Sequence, residues 1–125
     1  MRTIKFRAWD KMTSQMIKWE DILDHWNFKA FKQPYHVFMQ YTGLKDAYGK
    51  EIYEGDIVEH IRHGKGVVEW NRNNACFFVK ANIEYIFDNN AGEYIHREVI
   101  GNIYENPELL KAGVAIGNQE VGQLA

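Results

Sequence analysis

The fold of this chain is decided by residues 51–70, which read EIYEGDIVEHIRHGKGVVEW. Residues 57–61 alternate between two faces, which is the period-two pattern of a β-strand. Gly55 lets the chain bend sharply into this strand. Residues 62–66 form a turn with two glycines, and residues 66–70 return as a valine-rich strand. A bent hairpin of this kind is typical of the start of a small β-barrel.

Further short strands are predicted on both sides of this hairpin. Two alternating segments flank the polar turn at residues 10–14 and predict an N-terminal β-hairpin. Turn signals recur about every ten residues, the spacing of a small barrel or sandwich. Gly101 marks a bend or bulge in the last of these segments. The remaining strands are predicted at residues 4–9, 15–19, 35–41, 75–80, 83–87 and 93–104.

One or two short helices complete the predicted secondary structure. Residues 20–33 combine helical spacing with interruptions, so a short helix and an irregular turn both remain open before Pro34. Residues 106–111 carry a clearer signature, with Asn106 as N-cap and Pro107 in the first turn. Residues 112–125 have no period and are expected to form a flexible tail.

Composition indicates one folded domain in a reducing compartment. The 125 residues are 46% hydrophobic and 14% aromatic, enough for one hydrophobic core. We expect a single domain over residues 1–111. The single cysteine cannot form an internal disulfide, and no apolar run approaches the ~20 residues that span a bilayer. A cytoplasmic protein with no membrane segment is therefore expected.

Three blocks of sequence resemble the YopX family of phage and prophage proteins. They are IKFRAWD at residues 4–10, QYTGLKD with GKEIYEGDIV within residues 40–58, and VIGNIYENPELL at residues 99–110. The resemblance implies a bacterial host-cell cytoplasm and a mostly β fold, with an SH3-like small β-barrel from about residue 42 behind the N-terminal hairpin. It implies no particular activity and no functional residues.

The candidate catalytic and metal-binding residues favour structural roles. His60 and His63 are three positions apart, and on a strand such positions point to opposite faces, which disfavours shared ligation of a metal unless the chain turns between them. Cys76 stands in an apolar segment and is expected in the core. Ser14 is the only serine and lacks the context of a hydrolase nucleophile.

An acidic group at Glu51, Glu54 and Asp56 has two interpretations. Paired carboxylates can act as acid and base or bind a metal, provided that they share one pocket. A turn in which the Asp side chain bonds nearby backbone is the simpler and favoured interpretation. We therefore expect no catalytic site, no metal and no cofactor, and a protein that is not an enzyme.

The turns at residues 62–73 form a candidate nucleic-acid surface. Cations beside an aromatic ring can hold phosphates and stack a base. The net charge of −2 argues against this surface, and the favoured alternative is solubilising charges around a Trp70 in the core. The candidate residues are Arg62, His63, Lys65, Trp70 and Arg72.

Fold class and the absence of recognisable chemistry together favour a binding function. The primary hypothesis is a non-enzymatic protein-interaction module that self-associates through strand edges and aromatic surface. The alternative is a nucleic-acid-binding small barrel that acts through residues 62–73. A host or phage protein is a further possible partner.

Overall fold

The computed structural model describes residues 3–60, 64–80, 85–86 and 97–113, and this part of the chain is mostly β, as predicted. The strands are β1 (Phe6–Asp10), β2 (Gln15–Ile17), β3 (His36–Lys45), β4 (Glu51–Tyr53), β5 (Asp56–His60), β6 (Gly64–Asn71), β7 (Cys76–Lys80), β8 (Tyr85–Ile86) and β9 (Arg97–Asn102). The helices are α1 (Trp19–His25), α2 (Phe28–Phe31) and α3 (Glu108–Gly113).

The strands form two antiparallel sheets. The first has the order β2-β1-β3-β4 and contains the predicted N-terminal hairpin. The second has the order β8-β7-β6-β5-β9 and contains the β5–β6 hairpin, whereas residues 51–53 of the predicted hairpin form β4 of the first sheet. The turn before β5 holds Gly55 at a φ of 87°, as expected for a sharp bend. The second sheet is compatible with an SH3-like barrel.

The core of the second sheet is assembled from strands far apart in sequence. Each of five strands supplies one buried aliphatic side chain, and Leu44 and Phe77 pack against this cluster. Since alternate residues of a strand share a face, one side chain per strand is enough to fill a narrow barrel interior. The five residues are Ile52, Val58, Val68, Val79 and Val99.

Helices α1 and α2 pack on one face of the first sheet, whereas α3 packs against β6 of the second sheet. On the helical face of the first sheet, Phe6 contacts Trp19 with ring centroids 6.0 Å apart. On its other face, Trp9 stacks on Tyr104 at 5.6 Å. Strand β1 is therefore covered on both faces, whereas its alternation predicted a half-buried strand.

Residues 20–33 form two short helices, which settles the alternative left open by the sequence. Helix α1 ends where the Trp26 N–H donates to the Ile22 carbonyl at 3.1 Å. Helix α2 begins at once, because the Asn27 side chain accepts the Ala30 N–H at 3.0 Å. This capping bond satisfies one of the free donors of the first turn.

The predicted C-terminal helix is present, but its predicted cap is wrong. The carbonyl of Asn106 accepts the Leu109 N–H at 3.1 Å and opens the turn. The side chain of Asn106 instead accepts the Asn102 N–H at 3.2 Å. A Cβ on Gly101 would lie 2.5 Å from this side-chain oxygen, so the close approach requires glycine at the bulge predicted there.

Strand β3 extends further than the predicted strand at residues 35–41. It continues to Lys45 because β4 pairs with it from Tyr41 onward. The turn that follows is built on the buried Asp46, whose carboxylate accepts the Lys50 N–H at 2.8 Å and the Val99 N–H at 2.9 Å. The predicted division between residues 41 and 42 falls inside this strand.

Cys76 is half-buried, so its predicted place in the core is wrong. The alternation of β7 directs Phe77 and Val79 into the core and leaves Cys76 on the other face. Part of the predicted strands at residues 83–87 and 93–104 lies outside the described residues. The predicted tail begins inside α3, and residues 114–125 are also outside the described part.

Candidate interaction surfaces

The predicted structural role of Asp56 is confirmed. Its side chain is 2% exposed and accepts the Tyr53 N–H at 2.7 Å. Nη2 of Arg7, from the first sheet, donates to the other carboxylate oxygen at 2.8 Å. Burial raises the pKa of Asp56, and the Arg7 guanidinium opposes only part of this rise. This ion pair joins the two sheets.

The other two acids of the group have separate partners. Glu51 pairs with Lys5, and this hydrogen bond is the main cause that raises the pKa of the Lys5 ammonium. Glu54 accepts the Gln40 N–H at 3.3 Å. The three carboxylates are thus held by different neighbours, which is the arrangement of a structural turn.

His60 is a buried residue of the second sheet. It is 2% exposed and lies opposite the equally buried Arg97 in the β5–β9 register. His63 lies outside the described residues. Within the described ranges, no three side chains of His, Cys, Asp or Glu are grouped closely enough to hold a metal.

The candidate nucleic-acid residues do not form one surface where the structure describes them. Trp70 is 46% exposed and packs edge-on against Phe77, with ring centroids 4.9 Å apart, so its interpretation as a core residue is wrong. Arg72 is exposed in the following turn. Lys65 is five positions before Trp70 on β6 and therefore projects from the opposite face. The remaining two candidates, Arg62 and His63, lie outside the described residues.

A groove that the sequence did not predict opens between the two sheets. It encloses about 340 Å³, and the described residues that line it include the acidic residues Glu54 and Glu69 and no basic residue. Local patterns could not reveal it, because four separate segments form its walls. The lining residues are Val37, Phe38, Met39, Glu54, Gly55, Val67, Val68, Glu69, Trp70, Ile103 and Tyr104.

A second surface is apolar and lies on the helices. Leu23 is 63%, Phe28 85% and Phe31 41% exposed, and we call these three residues the helical apolar patch. Phe31 stacks on Phe38 of β3, with ring centroids 5.5 Å apart. This stacking anchors the patch to the first sheet. Exposed apolar clusters of this kind mark interaction sites.

The fold and its surfaces define a small, mostly β domain with an open groove and an apolar patch. The sequence profile of the YopX protein matches residues 23–111, and the chain belongs to this family. The blocks at residues 40–58 and 99–110 lie inside the match. The block at residues 4–10 precedes it.

A solved structure supports the same fold. The sequence of protein EF1440 from Enterococcus faecalis is 28% identical to this chain. Its crystal structure resembles this one with a TM-score of 0.64. The alignment covers 88% of this chain and 99% of that one. No curated protein sequence matches the chain. Among the described helices, none has the length and apolar character needed to cross a membrane.

Proposed function

We propose that this protein is a non-enzymatic interaction module that associates with a second copy of itself through the helical apolar patch. The observation that carries the proposal is the exposure of three large apolar side chains on the two consecutive short helices, which reaches 85% for Phe28. The proposed setting is the cytoplasm of a bacterial host that carries a phage or prophage. The family resemblance supports this setting.

The energetics of the patch favour a symmetric pair. Complete burial of a Leu or Phe side chain stabilises by about 1.5–3 kcal/mol. A two-fold interface presents every patch residue twice, so the exposed parts of six side chains, equivalent to about four complete side chains, would be buried. Their sum is comparable with the roughly 4–15 kcal/mol that association costs in lost freedom.

The arrangement of the acidic residues supports a function without catalysis. An acid–base pair needs two carboxylates that face one substrate. Asp56 is held by Arg7, and Glu51 by Lys5. Of the three acids, only Glu54 lines the groove.

Phe28→Ser tests self-association without disturbing the core. Analytical ultracentrifugation should give a concentration-dependent dimer for the wild type and a monomer for the variant. Tyr48→Ser is the matched control, because Tyr48 is an aromatic residue, 78% exposed, in a turn of a different part of the chain. A wild type that stays monomeric at every concentration would overturn the proposal.

Nucleic-acid binding through residues 62–73 is the second candidate, and the exposure of Trp70 beside Arg72 favours it. Affinity for a single-stranded oligonucleotide should fall steeply with salt. Trp70→Ala combined with Arg72→Glu should abolish binding, whereas Lys11→Glu on the first hairpin should not. Unchanged affinity in the double variant would remove this assignment.

A further inference from the structure

One edge of strand β3 is only partly covered. Strand β1 pairs along its first edge from His36 to Gln40. Strand β4 pairs with its second edge at Tyr41 and Lys45. The Glu54 N–H adds one bond to the Gln40 carbonyl at 2.9 Å. Before Gln40, the second edge has no strand partner among the described residues.

Strand register shows where the backbone of Phe38 points. On the edge that faces β1, the Tyr41 N–H donates to the Lys5 carbonyl, and the Lys11 N–H donates to the Tyr35 carbonyl. Both distances are 2.9 Å. In an antiparallel ladder, alternate residues direct their backbone groups to opposite edges. The backbone N–H and carbonyl groups of the odd-numbered residues of β3 therefore point toward β1. Phe38 lies between them and directs its N–H and carbonyl into the groove.

Strand β6 presents a second free position across the groove. The Val68 carbonyl accepts the Gly55 N–H at 2.8 Å. The backbone N–H and carbonyl groups of the even-numbered residues of β6 therefore point to the edge away from β7. Trp70 is the next such residue. Its register partner in β7, Phe77, lies on the opposite edge. The backbone N–H and carbonyl of Trp70 therefore also face the groove.

The chemistry of the groove selects the kind of segment that fits between these edges. Val37, Met39 and Ile103 give it apolar surface, whereas Glu54 and Glu69 give it acidic residues, and no basic residue is among the described residues that line it. The neighbouring Arg7 is paired with Asp56. Free strand edges recruit extended chains, whose backbone bonds give affinity while alternate side chains give specificity. Apolar surface with two carboxylates favours alternating apolar and basic side chains.

We propose that the groove binds an extended partner segment of alternating apolar and basic residues, which pairs with the backbone of Phe38 and Trp70. The inference rests on the proposed function as a protein-interaction module and names the partner segment that the groove recognises. None of the three patch residues lines the groove, although Phe31 stacks on Phe38. The Phe28→Ser variant leaves both of these residues in place, so the two proposals can be tested separately.

The test uses the ¹⁵N-labelled full chain and two matched pools of short peptides. One pool alternates Val or Ile with Lys or Arg, and the other alternates the same apolar residues with Glu or Asp. The basic pool should shift the amide signals of Phe38 and Trp70 and slow their exchange with solvent. The acidic pool should leave both amides unchanged.

Two controls separate strand pairing from simple charge attraction. Basic peptides with N-methylated backbones keep their side chains but cannot donate to the carbonyls of Phe38 and Trp70, and their methyl groups block the close approach of a paired strand, so they should bind much more weakly. Glu69→Gln should weaken binding of the basic pool several-fold. Unmoved amides at Phe38 and Trp70, or equal binding of the N-methylated peptides, would overturn the proposal. The Phe28→Ser variant should bind the basic pool as well as the wild type does. This measurement separates a failure of peptide binding from a failure of self-association.

Discussion

Replacement of Arg7 by methionine should reduce the free energy of unfolding by about 3–5 kcal/mol, the cost of leaving one member of a buried ion pair unpaired. Asp56 is 2% exposed, and its distance to Arg7 is 2.8 Å. The Tyr53 N–H stays as a partner, but it is neutral. Methionine keeps an apolar stem near the Tyr53 ring. The loss is large against a typical total stability of about 5–15 kcal/mol.

The defect should depend on pH in a defined direction. Burial raises the pKa of Asp56 in the folded protein, and removal of the Arg7 charge raises this pKa further. Between the unfolded and the raised folded pKa, the folded state binds more protons than the unfolded state. Stability of the variant therefore falls as pH rises through this window and recovers as pH falls. The difference in the free energy of unfolding between the variant and the wild type should therefore become smaller at acidic pH.

Urea unfolding followed by tryptophan fluorescence measures both effects. Lys11→Met is the matched control, because Lys11 is an exposed cation of the first hairpin, and exposed substitutions usually stay within about 0.5 kcal/mol. Addition of Asp56→Asn to Arg7→Met should recover stability at neutral pH. A loss for Arg7→Met no greater than that of the control would refute the reasoning, as would a gap that widens in acid.

Two further predictions concern a glycine and a surface pair. Gly55→Ala should lower the free energy of unfolding, measured in urea, more than Gly49→Ala does. Both glycines have a positive φ, but only a Cβ at position 55 meets Met39, at 3.1 Å. Equal losses of stability would contradict this prediction. The hydrogen bond to Glu51 raises the pKa of Lys5 above 10.5, so its stabilisation is present below that pH and disappears as pH rises through the raised pKa. The difference between wild type and Lys5→Met should therefore shrink at alkaline pH, and a constant difference would count against it.

Features that depend on neighbours in sequence were predictable. The N-terminal hairpin and the bend at Gly55 follow from alternation and turn residues within a few positions. The hydrogen bond from the Tyr53 N–H to the Asp56 carboxylate is equally local, because donor and acceptor are three positions apart in sequence. The same logic fails at Asn106, where two acceptable local bonds compete and packing against β9 selects the one to Asn102.

The candidate sites depend on what covers each strand. Alternation gives a strand two faces, but it does not say which face is buried, and this ambiguity misplaced Cys76. Trp70 shares the face of the buried Val68, but it lies near the end of β6, where the core no longer covers it. Helical spacing allowed a helix near Phe28, but its exposure depends on how α2 lies on the first sheet.

The sequence by itself determined the mostly β class, the N-terminal hairpin, the bend into β5 and, through its motif blocks, the YopX family. Tertiary structure alone decided the ion pair of Arg7 with Asp56, which are 49 positions apart, and the groove between the sheets. The physical reason is that turns and alternation are set by nearest neighbours. A cleft or a buried charge pair exists only after distant strands have packed together.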